Sequence, residues 1–305
     1  MTRFTSWLYK EPIGVFSLVV AVFGIWLAWE QFSEQSVQNS WNTVAGHAPG
    51  NSGVTSALEL LYSQKEDVRD IDLRPIARAY ADSNSKDNPH YANVANAQLK
   101  EIDLSNSWFD YTNFSDSNLE GARLNQVEWS NSILNGAKLT GAIINDTILN
   151  YSSLRNAELI AVDLQRSSLQ GATVIESTLD KANMSRTKLQ TAKFIKTSLK
   201  EVDLSESEMR LTILSSSDLT GANFSEADLD NAGFKEVNLS GADFIRAQNL
   251  GTATWLNIWA WENTPPRFPE ESSYLKNMVI LYDDECRDLH EGNGLPKDEC
   301  RVDNL

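Results

Sequence analysis

Residues that carry metal-dependent or nucleophilic chemistry are scarce in this chain. Its 305 residues include 3 His and 2 Cys, and the histidines (His47, His90 and His290) have no ligand or base spacing with one another. The sequence contains no Cys-x-x-Cys pair, no nucleophile elbow and no nucleotide-binding fingerprint. It therefore predicts no catalytic residue, no metal site and no cofactor, and a protein that is not an enzyme.

A basic segment is also missing. Residues 1–91 carry 7 basic and 10 acidic groups, residues 92–246 carry 14 and 21, and residues 247–305 carry 5 and 11, for a net charge of −16. Domains that bind nucleic acid present clustered Lys and Arg side chains. We therefore expect no direct binding to nucleic acid, and an acidic surface that favours cationic partners.

One hydrophobic run is long enough to cross a bilayer. The 18 residues from 12 to 29 contain no charged side chain, and a helix of this length spans about 27 Å, close to the hydrocarbon core of a membrane. Trp7 and Tyr9 lie before the run and Trp29 lies at its end, as aromatic residues do at membrane interfaces. The run predicts an uncleaved transmembrane helix; a cleaved signal peptide and a buried core helix are the alternatives.

The Lys and Arg residues around this run predict its orientation. Arg3 and Lys10 precede it, and no further Lys or Arg occurs before Lys65. The positive-inside rule then places residues 1–11 in the cytoplasm and the rest of the chain across the membrane. An oxidising compartment on that side favours a disulfide between Cys286 and Cys300, and two reduced thiols are the alternative.

The most informative pattern is a repeat of five residues. From Ala92 to Arg246 the chain divides into 31 blocks without an insertion, and the third residue of every block, its centre, is apolar. The first residue of each block is Ala, Ser, Thr or Val, except Ile102. Helical faces recur every 3.6 residues and strand faces every 2, so a period of five fits neither. Each block is expected to hold a short extended piece and a turn.

The blocks resemble the pentapeptide-repeat family, in which Ala, Asp or Asn, Leu or Phe and two polar residues recur. Near-ideal copies are ANFSE (222–226), ADLDN (227–231) and ADFIR (242–246). The resemblance covers about half of the chain and implies an all-β repeat solenoid, a right-handed quadrilateral parallel β-helix with four blocks per coil. A coil spacing near that of β-strands, about 4.8 Å, then gives a rod about 37 Å long.

Four blocks per coil place centres that are 20 residues apart in one column. One such column consists of leucine alone: Leu99, Leu119, Leu139, Leu159, Leu179, Leu199, Leu219 and Leu239. The bulkiest centre, Trp129, lies in another column. Local widening of the coil and a ligand or partner site are the two interpretations of this residue.

Both flanks of the repeats are expected to cap the rod, because an open end exposes backbone edges and apolar centres. Residues 30–91 predict a juxtamembrane helix, a second short helix at 54–64 and one isolated repeat at residues 71–73.

The C-terminal flank, residues 247–305, combines a cap with an acidic tail. The register is lost at Asn249, where a centre is due. Trp255, Trp259 and Trp261 are expected to cover the last coil, and a partner or dimer surface is the alternative.

A candidate docking band is formed by six cations close together in sequence: Lys181, Arg186, Lys188, Lys193, Lys196 and Lys200. Acidic residues follow at once, so a solenoid is expected to place a basic band beside an acidic one. A docking site for a partner and an ordinary solvated surface are the two interpretations.

Together these features predict a non-enzymatic, membrane-anchored rod that acts as a protein-interaction or structural scaffold module. It is expected in the inner membrane of a bacterium, with its repeats in the periplasm and with another protein or a second copy as its partner. The resemblance implies one alternative, a DNA mimic that regulates DNA gyrase-like enzymes, as the quinolone-resistance members of the family do.

Overall fold

The computed structural model describes residue 31 and residues 33–43, 53–73, 92–261, 264–269 and 279–281. These residues form a parallel β-solenoid of about eight coils, preceded by two helices, α1 (33–43) and α2 (Val54–Ser63). Within the described residues, no helix has the length and apolar character needed to cross a membrane. The segments predicted as the cytoplasmic N-terminus (1–11) and the transmembrane helix (12–29) lie outside the described residues.

Each coil consists of four blocks, as the resemblance implies. Parallel bridges join residues 20 positions apart, for example Lys138 to Glu158 and Ile143 to Asp163. The four faces of the coil are numbered here in chain order: face 1 begins at residue 92, face 2 at 97, face 3 at 102 and face 4 at 107, and the same faces recur every 20 residues. The right-handed sense of the coil stays a prediction.

Most strands lie on face 1. Two short strands, β1 (Ala92–Asn93) and β2 (Thr112–Asn113), pair at its start. A six-stranded parallel sheet follows, made of β3 (Ser153–Arg155), β4 (Thr173–Ile175), β5 (Lys193–Ile195), β6 (Ile213–Ser215), β7 (Gly233–Lys235) and β8 (Thr254–Leu256). At the C-terminal end β9 (Trp259–Trp261) pairs with β10 (Val279–Leu281).

The repeat pattern explains the core. All centres from Val94 to Phe244 and all first residues of the blocks are buried. The buried Ser and Thr at first positions form hydrogen bonds inside the rod. Ser132 Oγ, for example, donates to the Phe109 carbonyl at 2.7 Å and accepts from the Thr112 N–H at 3.0 Å. All of these hydroxyls except Thr112 Oγ1 have partners, so the other polar first residues do not carry the desolvation cost of unpaired groups.

The fifth residue of each block turns the chain. In all 31 blocks it has a φ between 52° and 69°, and six of these residues are glycine. The second residue supports the turn where it is Asn or Asp, because its side chain accepts a hydrogen bond from the N–H two residues on, as Asp203 does from Ser205 at 3.0 Å. This local bond accounts for the Asn and Asp at the second position of the repeat.

The N-terminal end of the rod is covered by α2. Its Leu58 and Leu61 are fully buried. The Glu59 carboxylate accepts from the Gln98 N–H at 2.7 Å, and the Tyr62 hydroxyl donates to the Lys100 carbonyl. These bonds saturate backbone groups that an open coil would leave unpaired.

The isolated repeat predicted at residues 71–73 is confirmed. Asp72 forms a parallel bridge with Trp108, and the Leu73 N–H donates to the Trp108 carbonyl at 2.9 Å. Leu73 and Val68 are buried as centres. Residues 68–73 thus form half a coil that precedes the regular register and is bonded to the first turns of faces 3 and 4.

At the other end the solenoid continues beyond residue 246. Gly233 pairs with Thr254, a spacing of 21, because one extra residue enters the coil between Gln248, which still pairs with Asp228, and Thr254. Trp255 and Phe268 then continue two columns of centres, stacked on Phe234 and Phe244 respectively. Trp259 and Trp261 do not cover the coil as expected. They flank the buried Ala260 and lie half-buried on the outside, edge to face at 5.6 Å.

Candidate interaction surfaces

The interior of the described rod is packed with side chains. One aromatic cluster surrounds Trp129, whose ring lies 4.9 Å from Phe114 and 5.9 Å from Phe109, measured between ring centroids. Trp129 is fully buried, and its Nε1–H has no acceptor. The arrangement fits a local aromatic layer in the core better than a ligand site, because the two phenyl rings pack against the indole.

Beside the N-terminal cap lies an open depression of about 370 Å³. Its lining includes Tyr62, Lys65, Asp67, Arg69 and Asp103. The Arg69 guanidinium donates to the Asp67 carboxylate and lowers the pKa of that carboxyl to about 2. Since Arg69 already has this partner, the depression offers no unpaired arginine to an anionic ligand.

The six cations of the docking band lie on three faces and three corners of one stretch of coil. A coil turns through a full circle in 20 residues, so cations that are close in sequence are dispersed around the rod. Lys193 is on face 1, Lys200 on face 2, Lys188 on face 4, and Lys196, Lys181 and Arg186 are at the corners after faces 1, 2 and 3.

Four of the six pair with carboxylates on adjacent coils. The N–O distances are 3.8 Å for Lys181–Glu201, 3.0 Å for Arg186–Glu206, 3.5 Å for Lys196–Glu176 and 3.4 Å for Lys200–Asp218. The hydrogen bonds from Arg186 lower the pKa of Glu206. The basic and acidic bands of the sequence therefore partly neutralise each other along the rod axis.

The corner after face 3 carries a ladder of such pairs. Its members are Asp146–Arg166 at 2.8 Å, Arg186–Glu206 at 3.0 Å and Glu226–Arg246 at 2.7 Å. Each pair joins residues 20 apart, so the ladder links successive coils. The pKa of Asp146 is lowered because Arg166 donates two hydrogen bonds to its carboxylate.

Face 1 presents an apolar surface that the sequence analysis missed. It consists of Ile175 and Ile195 in β4 and β5, Ile213 in β6, and Tyr151 and Leu211 at the adjoining corner. Tyr151 is 66% exposed, Leu211 48% and Ile213 42%, while Ile175 and Ile195 are half-buried. The available signal was the recurrence of Ile at fourth positions 20 residues apart, Ile175 and Ile195, which an analysis of the centres alone does not detect.

Charge distinguishes face 1 from the rest of the rod. Between residues 153 and 236, its outward positions carry four cations, Arg155, Lys193, Lys196 and Lys235, against Glu176 and Glu236. The repeat region as a whole is acidic, with 14 basic and 21 acidic groups. Other exposed isoleucines are dispersed over other faces, such as Ile143 on face 3, Ile148 on face 4 and Ile160 on face 2. On face 1, Ile175 and Ile195 are neighbours in paired strands, and neighbouring apolar side chains on an exposed face are typical of interaction surfaces.

The described residues contain no group of His, Cys, Asp and Glu arranged to hold a metal ion. Both cysteines, Cys286 and Cys300, and all three histidines lie outside the described residues. The disulfide between the two cysteines stays a prediction.

Comparison with known proteins identifies the same repeats. A family model described as pentapeptide repeats matches residues 90–126, 112–150, 167–205 and 212–248, in 8 copies. No curated protein matches the chain.

Several solved structures are similar. HetL, a pentapeptide repeat protein involved in heterocyst differentiation regulation in the cyanobacterium Nostoc sp., is 23% identical, with 61% of this chain and 96% of HetL covered and a TM-score of 0.25. A trypsin-treated variant of QnrB1, a plasmid-mediated fluoroquinolone resistance protein, is 16% identical, with coverages of 67% and 95% and a TM-score of 0.37. A pentapeptide repeat protein of the Arabidopsis thaliana thylakoid lumen is 28% identical, with coverages of 31% and 63% and a TM-score of 0.20.

The assignment rests on the family model and on the 20-residue register of bridges, which agree on the same stretch of sequence. The chain belongs to the pentapeptide-repeat family.

Proposed function

We propose that this protein is a non-enzymatic rod, anchored to a membrane by residues 12–29, that presents face 1 to a protein partner. The observation that carries the proposal is the apolar surface of face 1, with Tyr151, Leu211 and Ile213 between 42% and 66% exposed, whereas the exposed isoleucines of the other faces are dispersed. Burial of such side chains against a partner is favourable by roughly 25 cal/mol per Å² of apolar area removed from water.

The construction of the rod supports a scaffold role. The parallel sheet of face 1 runs without interruption over six strands, and the centres of these strands, except that of β8, are buried in the interior of the rod. A solenoid packs only against its neighbouring coils, so it holds outward residues at fixed spacings over a long distance. A protein partner can therefore meet several coils at once without rearrangement of the rod.

Affinity capture of the full-length chain tests the interaction. The variant Ile195→Glu/Ile213→Glu places two carboxylates in the apolar surface and is expected to lose the captured partner. Ile143→Glu is the matched control, because Ile143 is also an exposed isoleucine at a second position, 37% exposed on face 3. The proposal would be contradicted if the unmodified chain and both variants captured the same protein equally, or if the unmodified chain captured no specific protein.

Membrane anchoring is tested by reporter fusions at the C-terminus. One reporter is active only outside the cytoplasm and the other only within it. Activity of the first supports the proposed orientation, with the rod in the periplasm of a bacterial cell and conditions that favour a Cys286–Cys300 disulfide. Activity of the second reverses the orientation.

The alternative, a DNA mimic that acts on DNA gyrase-like enzymes, has weaker support. It requires continuous negative charge along the rod, whereas the outward positions of face 1 carry more cations than anions between residues 153 and 236. Inhibition of gyrase supercoiling at micromolar protein would restore this alternative.

A further inference from the structure

We infer that the occupant of face 1 is a second copy of this chain, bound face to face with its rod axis reversed. The inference deepens the proposed function, on which it rests, by naming the partner. The sheet of face 1 provides the geometry, because β3, β4, β5 and β6 are adjacent strands in parallel register. Two identical rods that meet through one face are related by a two-fold axis in the interface.

The two-fold axis is placed parallel to the strands, midway between β4 and β5. Rotation about it exchanges β4 with β5 and β3 with β6, and leaves positions along each strand unchanged. Ile175 of one rod then faces Ile195 of the other, since these residues occupy equivalent positions in paired strands. The two isoleucines are half-buried in the single rod, and the contact removes their remaining exposed area from water.

The corners match in the same arrangement. Tyr151, which precedes β3, faces Leu211, which precedes β6. These two side chains are among the most exposed large apolar residues of the described rod, at 66% and 48%. An aromatic ring against an aliphatic side chain is a favourable cross-sheet contact.

The charges match as well. Glu176, which follows β4, faces Lys196 of the other rod, and Lys196 faces Glu176 in return. Within one rod these two residues already form an exposed pair at 3.5 Å, so the dimer joins two pairs into a group of four alternating charges. Arg155 faces Ser215 and Lys193 faces Thr173, so like charges do not meet at these positions.

A parallel arrangement of the two rods fits less well. Its two-fold axis runs along the rods and brings second positions against fourth positions of the same strand. Lys193 then faces Ile195, and Glu176 loses its opposite charge. Ile213 does not distinguish the two arrangements, because it faces Ser215 in the parallel one and Ser153 in the reversed one. The reversed arrangement is favoured by the contacts of Ile175 with Ile195, Tyr151 with Leu211 and Glu176 with Lys196.

The expected dimer is weak. Its contacts span four strands, which is about 20 Å of rod at the spacing of β-strands. A contact of this length on one face buries well below the roughly 800 Å² per partner of a standard protein interface, so its affinity is expected to be low. We expect dissociation in the micromolar range, measured by sedimentation velocity of the full-length chain in neutral detergent.

Charge exchange tests the arrangement. Lys196→Glu places Glu opposite Glu176, and Glu176→Lys places Lys opposite Lys196, so each variant alone is expected to dimerise about tenfold or more weakly than the unmodified chain. A mixture of the two variants restores opposite charges at both contacts and is expected to form a mixed dimer. The matched control is Lys181→Glu, which breaks the pair with Glu201, also 20 residues apart, at a different corner. It is expected to leave dimerisation unchanged.

A cross-linking test determines the relative direction of the two rods. Facing sheets pack about 10 Å apart, which is too far for a direct disulfide, so the test uses a bis-thiol cross-linker of about 8 Å. In a chain with Cys286→Ser and Cys300→Ser, the variant Tyr151→Cys/Leu211→Cys is expected to form a covalent dimer that joins position 151 of one rod to position 211 of the other. Within one rod these positions are three coils apart, roughly 14 Å, which exceeds the reach of the cross-linker. Each single cysteine variant is expected to remain without this cross-link.

Three outcomes overturn the inference: a chain that stays monomeric at 100 μM, about the upper end of the expected range; an equal effect of Lys196→Glu and Lys181→Glu; and a mixture that does not restore the dimer. The proposed function fails separately. If affinity capture through face 1 recovers a different protein while the chain stays monomeric, the dimer is excluded and the interaction role stands.

Discussion

The indole ring of Trp255 stacks on the phenyl ring of Phe234, with centroids 4.4 Å apart and planes inclined by 8°. The two residues are 21 positions apart, although the register of the preceding coils is 20. The extra residue is absorbed before β8, so the column of centres on face 1 continues through it. Phe268 stacks in the same way on Phe244, at 4.7 Å.

Trp255→Ala is therefore expected to destabilise the C-terminal coil by about 2 kcal/mol, because it removes a large, partly buried side chain that packs against the core and stacks on Phe234. Trp261→Ala, which changes a half-buried ring on the outside, is expected to cost about 1 kcal/mol or less. Hydrogen exchange of the amides in β7 and β8 measures the difference. Equal loss of protection in both variants would show that Trp255 is not part of the core column.

Trp129 offers a test of core packing, since it is fully buried and its Nε1–H has no acceptor. Trp129→Phe removes the unpaired donor, which offsets part of the lost apolar contact, so the free energy of unfolding should fall by less than about 1.5 kcal/mol. Trp129→Ala leaves a cavity beside Phe109 and Phe114 and should cost about 3–5 kcal/mol. Urea unfolding measures both. A Phe variant as unstable as the Ala variant would mean that the indole N–H has a stabilising partner.

The left-handed turns predict a difference between two glycines. Gly141 and Gly171 have φ values of 66° and 64°, so Ala at either position is strained. A Cβ at position 171 also meets the Tyr151 ring at 2.6 Å, whereas nothing lies within 4 Å of a Cβ at position 141. Gly171→Ala should be the more destabilising of the two by thermal unfolding. The difference should vanish in a Tyr151→Ala background; if it persists there, the ring is not its cause.

The ion-pair ladder predicts a pH dependence. Arg166 lowers the pKa of Asp146 below its ordinary value of 3.8. Because the pKa is lower in the folded chain than in the unfolded one, the pair stabilises the fold above the ordinary pKa, and this stabilisation is lost as the pH falls through the lowered value. Carbon-13 NMR titration of the Asp146 carboxyl measures it, with Arg166→Gln as the comparison. The variant should titrate at higher pH than the parent, and identical curves would argue against the pairing.

The coil can be predicted from the sequence because each five-residue block carries its own inward residues and its own turn. Every centre is apolar and every block has five residues, so the inward positions and the short turns follow from the pattern. The columns also require the four blocks per coil that the family resemblance implies. The solenoid beyond residue 246 could not be predicted in this way, since one extra residue before Trp255 displaces the later centres from the pattern.

The surface is harder to predict, because contacts on it depend on the winding of the coil. The cations from Lys181 to Lys200 are adjacent in sequence but lie on different faces, whereas Ile175, Ile195 and Ile213 are far apart in sequence but share face 1. To predict which outward side chains are neighbours, residues at outward positions must be compared with those 20 positions away in the sequence. The ion pairs between coils follow the same spacing.

Photo-cross-linking in cells tests most directly whether face 1 is an interaction surface. A photoreactive amino acid replaces Ile213 on face 1 in one full-length variant and Ile143 on face 3 in another, two isoleucines of similar exposure at 42% and 37%. We predict a covalent protein adduct from position 213 and none from position 143. Absence of an adduct at position 213, or the same adducts at both positions, would contradict the assignment of face 1 as the surface through which this rod acts.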